Sequence, residues 1–111
     1  MSTEFGLSEK TLACVRAIFA EHPKVERAVL YGSRAKGNYK NGSDIDLTLF
    51  GEELDYHDLC AISDKLYESP IPYTVDLSIF EHIDNANLVD HIQRVGKVFY
   101  QRTPQQEVAA Q

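Results

Sequence analysis

Three aspartates interrupt the apolar alternation of two segments that have the composition of β-strands. Asp44 and Asp46 lie two residues apart in DIDLTLF, and Asp76 occupies a similar position in YTVDLSIF. Side chains two apart leave the same face of a strand, so the carboxylates of Asp44 and Asp46 are expected side by side. Adjacent carboxylates repel each other unless water or a cation lies between them, and Mg²⁺ prefers oxygen ligands. The pattern therefore predicts either a solvated strand face or a metal site.

Asp76 favours the metal site. If its strand neighbours the strand of Asp44 and Asp46, all three carboxylates can meet on one face of a sheet. Three carboxylates can hold two metal ions about 3.5 to 4 Å apart, an arrangement that stabilises the attacking and leaving oxygens of phosphoryl or nucleotidyl transfer. We therefore predict that Asp44, Asp46 and Asp76 are catalytic residues and ligands of Mg²⁺, with two ions bound. Taken alone, Asp76 would be an ordinary exposed polar residue.

A glycine and a serine end the apolar segment RAVLY and open a turn. Backbone N–H groups at Gly32 and Ser33 are free to bind an anion there, and the serine hydroxyl adds a donor. Arg34 and Lys36 follow and could place positive charge beside a triphosphate. An ordinary turn with solvated basic residues has the same composition. If the flanking strands are antiparallel neighbours, the turn and the Asp44 segment meet at one edge of the sheet. A triphosphate could then be held at one end by Gly32, Ser33, Arg34 and Lys36, as the candidate nucleotide-binding residues, and at the other end by the metals.

Hydrophobic spacing predicts three amphipathic helices and three strands, with a short edge strand at the end. Ser8 is the expected N-cap of the first helix, and Gly96 the expected stop of the last. The fold class is therefore α/β or α+β, a small mixed sheet flanked by about three helices. The predicted helices cover residues 8–21, 55–68 and the region of Leu88 to Val95, and the predicted strands cover 27–31, 44–50, 73–80 and 98–100.

One domain is expected from 111 residues, with an N-terminal helix in 1–24, a core in 25–102 and a disordered tail in 103–111. No apolar stretch is long enough for a membrane helix and no secretory leader is recognisable, so a cytoplasmic protein without membrane contact is expected. The net charge of -6 argues against an extensive nucleic-acid surface. Cys14 and Cys60 are expected to be reduced core residues. Surface or capping roles are expected for the histidines, namely His22, His57, His82 and His91.

The spacing of these motifs resembles a known family. Gly32-Ser33, ten intervening residues and Asp44-Ile45-Asp46 reproduce the signature of nucleotidyltransferases of the DNA polymerase β-like fold. The surrounding sequence, YGSRAKGNYKNGSDIDLTLF, is similar to that family throughout, and Asp76 matches the family's third carboxylate. The closing GKVFY resembles its last short strand, so the resemblance covers roughly residues 25 to 100.

The short chain resembles the minimal nucleotidyltransferase (MNT) class of prokaryotes, whose members commonly act as antitoxins paired with a HEPN ribonuclease toxin. The resemblance implies transfer of AMP from ATP to a tyrosine of such a toxin. It implies that Asp44, Asp46 and Asp76 bind the metals and that Gly32 and Ser33 bind the β- and γ-phosphates. The alternative is a catalytically idle MNT-fold module that neutralises a toxin by tight binding. The presence of all three aspartates argues against this alternative, because an inactive domain does not need them. The sequence leaves open the acceptor, the choice of NTP and the oligomeric state, including a homo-oligomer.

Overall fold

The fold is built on a mixed four-stranded sheet with helices packed on its faces. The structure is a computed structural model that describes residues 3–40 and 42–102. The predicted fold class is confirmed, and the predicted tail at 103–111 lies outside the described residues. No helix within the described ranges is long and apolar enough to cross a membrane. The strands are β1 (Thr3–Glu4), β2 (Leu7–Ser8), β3 (Arg27–Tyr31), β4 (Ile45–Phe50), β5 (Val75–Ile79) and β6 (Lys97–Gln101). The helices are α1 (Glu9–Ala20), α2 (Ser33–Lys36), α3 (Tyr56–Glu68) and α4 (Ala86–Val95), with a 3-10 turn at Phe80–His82.

The sheet has the strand order β5-β4-β3-β6. Strand β3 is antiparallel to both β4 and β6, whereas β4 and β5 are parallel. A parallel pair needs a crossover connection, which α3 supplies. The central strand β4 follows its sequence pattern, because Ile45, Leu47 and Leu49 are fully buried on one face while Asp46 points to the other. The predicted strand at 98–100 is confirmed as part of the edge strand β6.

Helices α1 and α3 cover the face to which Ile45, Leu47 and Leu49 point. The hydroxyl of Ser8 caps α1 by accepting a hydrogen bond from the N–H of Thr11, as its place in the sequence predicts. The apolar positions of both helices form one core with the sheet. The helix residues of this core include Leu12, Val15, Phe19, Ile62 and Leu66.

Helix α4 covers part of the opposite face. Its Ile92 is 3% exposed and packs with Val29 and Tyr31 of β3. This cover leaves Asp46 half-buried and Asp76 exposed at the end of the sheet. The aspartates therefore lie where this face of the sheet is accessible to solvent.

Two features differ from the sequence-based expectations. The N-terminal residues include a hairpin of β1 and β2, whose two turn residues Phe5 and Gly6 have φ of 58° and 74°. Phenylalanine is rare at positive φ, so the sequence carried no hairpin signal. The two cysteines are free, as expected, but Cys60 is exposed on α3 and Cys14 is only half-buried. The prediction that both are core residues is therefore wrong.

Candidate active site

The turn after β3 depends on a glycine in a conformation that other residues avoid. Gly32 has φ of 76° and ψ of -156°, a region populated almost only by glycine. A Cβ atom at this position would overlap Oδ2 of Asp46. The missing side chain therefore allows the turn to contact the Asp46 carboxylate directly. Ser33 begins α2 and is half-buried, and Lys36 ends this single helical turn and is exposed.

Strand pairing brings the predicted carboxylates to one edge of the sheet. In the antiparallel pair of β3 and β4, Tyr31 is the partner of Asp46, which places the following turn beside Asp46. In the parallel pair of β4 and β5, Asp46 is the partner of Asp76. Directly paired residues share a face of the sheet. Asp44 immediately precedes β4 and is exposed at the same edge.

Negative charge is concentrated around Asp46. Burial raises the pKa of Asp46 above its usual range, and the charges of Asp76 and Asp44 raise it further. Burial also raises the pKa of the Tyr31 phenol, and the charges of Asp76 and Asp46 add to this. Carboxylate oxygens are hard ligands whose mutual repulsion a divalent cation would relieve. The donor set of this edge therefore fits Mg²⁺.

Arg34 lies inside the protein rather than at the surface of the turn. Its side chain is 3% exposed, and its Nε and Nη2 atoms donate to the carbonyl of Ser43 at 3.1 and 2.9 Å. Its Nη1 donates to the carbonyl of Phe5 at 2.8 Å. The guanidinium lies 5.1 Å from the ring centre of Tyr39 and 4.9 Å from that of Tyr73. These contacts join the loop before β4, the N-terminal hairpin and the segment before β5.

His91, for which the sequence predicts a surface or capping role, is half-buried at this edge. The N–H of Gly32 donates to Nε2 of His91 at 3.3 Å, and the ring of His91 lies edge-on to Tyr31. His91 is three residues after Leu88 and four before Val95, so it shares the apolar face of α4. That spacing is the signal from which its burial could have been predicted.

Comparison with known proteins identifies the family. A family model described as polymerase beta, nucleotidyltransferase, matches residues 14–105.

The chain belongs to the polymerase beta nucleotidyltransferase family. The matched segment contains the Gly32 turn and the strands β4 and β5, so every predicted site residue of this nucleotidyltransferase lies within it. The resemblance found in the sequence is therefore confirmed.

This nucleotidyltransferase is similar in sequence to one curated protein and in fold to several solved structures. The chain is 32% identical over 75 residues to the "Probable protein adenylyltransferase MntA" of Haemophilus influenzae, an alignment covering 67% of this chain and 66% of that protein. A crystal structure of a toxin-antitoxin with AMP-PNP has a TM-score of 0.67 at 24% identity, covering 94% of this chain and 82% of that chain. A tri-AMPylated Shewanella oneidensis HEPN toxin in complex with MNT antitoxin has a TM-score of 0.63 at 20% identity, covering 92% and 79%. These structural likenesses show a common fold.

A second acidic group of the nucleotidyltransferase has a structural explanation. Asp55, His57 and Asp58 have ligand atoms that all lie within 4.8 Å of one another. Within residues 3–40 and 42–102, the three predicted aspartates do not form such a group. Asp55 accepts from the N–H of Asp58 at 2.9 Å, and Asp58 accepts from the N–H of Asp55 at 3.0 Å. Lys24 also pairs with Asp58 at 3.4 Å. This capping box begins α3, beyond the end of β4 opposite to Asp46.

Asp46→Asn is expected to stabilise the metal-free nucleotidyltransferase at neutral pH. The raised folded-state pKa of Asp46 means that its ionisation costs stability above that pKa. The cost decreases as the pH falls through the folded-state pKa and vanishes below the unfolded value, about 3.9. With a chelator present, the melting temperature of the variant should exceed that of the wild type by a few degrees at neutral pH, and the difference should close in acid. Asp64→Asn on the exposed surface of α3 is the control, and a difference independent of pH would contradict the prediction.

Arg34→Met is expected to destabilise the nucleotidyltransferase by about 2 to 4 kcal/mol, because it leaves the carbonyls of Ser43 and Phe5 without their buried donor. Denaturant unfolding measures the change. The matched control is Lys36→Met in the same short helix, where the side chain is exposed and the expected change is within about 0.5 kcal/mol. Equal stability of the Arg34 variant and the wild type, together with a loss of nucleotide affinity, would instead make Arg34 a phosphate ligand.

Proposed function

We propose that the chain is a Mg²⁺-dependent nucleotidyltransferase that moves AMP from ATP to a hydroxyl group of a partner protein, a tyrosine of a HEPN-type toxin, and thereby acts as an antitoxin. The observation that carries the proposal is the register of the sheet, in which Asp46 is paired with Asp76 and contacts the Gly32 turn. Transfer from a triphosphate requires a turn that binds phosphates, placed beside carboxylates that bind cations.

The carboxylates have distinct roles in the proposal. Asp44 and Asp46 would hold two Mg²⁺ ions and through them the phosphates, and Asp76 would share one ion. Bound Mg²⁺ would neutralise the charge that develops on the phosphate oxygens. Asp76 would also take the proton of the attacking hydroxyl. The acceptor oxygen then bonds to the α-phosphorus, the bond from that phosphorus to its bridging oxygen breaks, and pyrophosphate leaves.

The phosphates are assigned to the turn. Gly32 and Ser33 would bind the β- and γ-phosphates, and the exposed Lys36 could reach them as a cation. We propose that Arg34 does not contact phosphate, because its guanidinium is buried and bonded to carbonyl oxygens. Its role would be to hold the loop of residues 37–43 that joins the turn to Asp44.

The acceptor would come from the partner. Asp44 and Asp76 are exposed, so a hydroxyl group of another protein can approach the carboxylates from solvent. A relative named protein adenylyltransferase and a structural neighbour that holds an AMPylated HEPN toxin support both the reaction and the class of partner. The proposal keeps the cytoplasmic location expected from the sequence.

The test is transfer of label from ATP. The purified chain is incubated with Mg²⁺, a HEPN-type toxin that co-purifies with it from its host, and ATP labelled at either the α- or the γ-phosphate, with each other NTP tested in turn. Label from α-labelled but not γ-labelled ATP should appear on the toxin and disappear when the acceptor tyrosine is changed to phenylalanine. Label from γ-labelled ATP alone would indicate a kinase. A tight complex that never takes label would support the idle binding module.

A further inference from the structure

His91 connects α4 to the turn of the proposed nucleotide site. The N–H of Gly32 donates to Nε2 of His91 at 3.3 Å, across 59 positions of sequence. The ring of His91 is edge-on to the ring of Tyr31, with 6.2 Å between the ring centres. The adjacent Ile92 is 3% exposed and packs against the sheet, so α4 holds the imidazole in place.

The donor of this hydrogen bond is Gly32, the residue of the turn whose backbone conformation is rare among other residue types. Gly32 has φ of 76° and ψ of -156°, a conformation that glycine adopts without strain and other residues avoid, and only contacts with its surroundings select it from the many open to glycine. The same residue lies so close to Oδ2 of Asp46 that it has no room for a Cβ atom. Fixing the N–H of Gly32 therefore fixes the approach of the turn to Asp46. Because Nε2 accepts the bond, the proton of the neutral imidazole is on Nδ1.

We propose that His91 is a positioning residue for nucleotide binding. By accepting a hydrogen bond from the N–H of Gly32, His91 holds the Gly32-Ser33 turn against Asp46 in the conformation that binds the triphosphate. The inference rests on the proposed function and adds to it a residue outside the Gly-Ser and Asp-x-Asp signature. Helix α4 thereby becomes part of the nucleotide site, although it carries none of the predicted ligands.

Two substitutions separate the hydrogen bond from the packing of the ring. His91→Leu removes the acceptor and keeps an apolar side chain of similar bulk. His91→Gln keeps an acceptor, because an extended glutamine places its amide oxygen near the position of Nε2. Gln93→Leu, at an exposed position of the same helix, is the matched control. Melting temperatures show whether each full-length variant is folded.

The main measurement is binding of a nonhydrolysable ATP analogue with Mg²⁺ by calorimetry, supported by the Gly32 amide resonance of ¹⁵N-labelled protein without nucleotide. For His91→Leu we expect affinity about three- to ten-fold weaker, the range of one hydrogen bond. The KM for ATP should rise by a similar factor with kcat within about two-fold. His91→Gln and Gln93→Leu should bind within about two-fold of the wild type. The Gly32 amide should shift and exchange faster only in His91→Leu.

Other results of these measurements would overturn the positioning role of His91, the proposed function, or both. If His91→Leu binds the analogue as tightly as the wild type, or more tightly, the positioning role is overturned and the proposed function stands. If His91→Gln loses as much affinity as His91→Leu, the hydrogen bond is not the cause and the inference is overturned. If the wild type itself does not bind the analogue, both the inference and the proposed function are overturned. Should His91→Leu fail to fold, His91→Asn takes its place, since its shorter amide cannot reach Gly32, and the same results are expected.

Discussion

Replacing both Asp44 and Asp46 with alanine is expected to lower kcat/KM for transfer of an α-phosphate label by about a thousand-fold or more, while the chain stays folded. Stabilisation of the developing charge by bound metal is worth several kcal/mol, and each 1.36 kcal/mol is a factor of about ten in rate. The fold should not suffer, because the pKa of Asp46 is raised by burial and by the neighbouring carboxylates, so its charge opposes folding. Label transfer to the toxin and a melting curve measure the two effects.

The control for this loss is a pair of exposed acidic residues on α3, the helix that packs on the other face of the sheet. Asp64→Ala with Glu68→Ala removes two exposed carboxylates from α3 and should leave the rate within about two-fold. Transfer at the wild-type rate by the Asp44 and Asp46 double variant would contradict the assignment of the metal ligands. It would leave the family membership and the fold unaffected.

Gly32→Ala is expected to lower the rate of transfer by about a hundred-fold or more and to destabilise the fold by about 1 to 3 kcal/mol. Two causes combine, since alanine is strained at this φ and ψ and its Cβ would overlap Oδ2 of Asp46. The overlap forces either the turn or the carboxylate away from the position that we propose for catalysis, and small misplacements have large effects on rate. Label transfer measures the loss of rate, and denaturant unfolding measures the loss of stability.

Gly37→Ala introduces backbone strain without the overlap, so comparing it with Gly32→Ala separates the two causes. Gly37 also has a positive φ, 89°, but a Cβ there would meet no atom within 4 Å. This variant should lose about 1 to 2 kcal/mol from backbone strain and keep its activity within a few-fold. If Gly32→Ala and Gly37→Ala reduce the rate equally, contact between the turn and Asp46 is not what catalysis requires.

The secondary structure of the core could be predicted because local patterns specify it. The alternation of apolar residues around Asp46 defined β4, and Ser8 and Gly96 marked the ends of two helices. The hairpin at the N-terminus had no such pattern. Its turn places Phe5 at positive φ, and its neighbour Leu7 is fully buried, so contacts with the rest of the fold stabilise it.

The contacts of Arg34 and His91 could not be predicted because they join distant segments. A basic residue after a Gly-Ser turn suggests a phosphate ligand, but the guanidinium of Arg34 reaches the carbonyl of Phe5, 29 residues away. His91 reaches Gly32 from the other end of the domain. Neither partner can be inferred from local spacing, which reports only the face of an element on which a residue lies.

The sequence alone determined that this protein carries three aspartates on or beside the polar faces of two strands, and a Gly-Ser turn separated from the first of them by ten residues, because strand periodicity and turn chemistry are local. Only the tertiary structure decided which strands are neighbours. The pairing of Asp46 with Tyr31 on one side and Asp76 on the other assembles the site, and it arises from long-range hydrogen bonds and burial. The same packing buries Arg34 and brings His91 to the turn, since the positions of helices on a sheet are set by the core that they share.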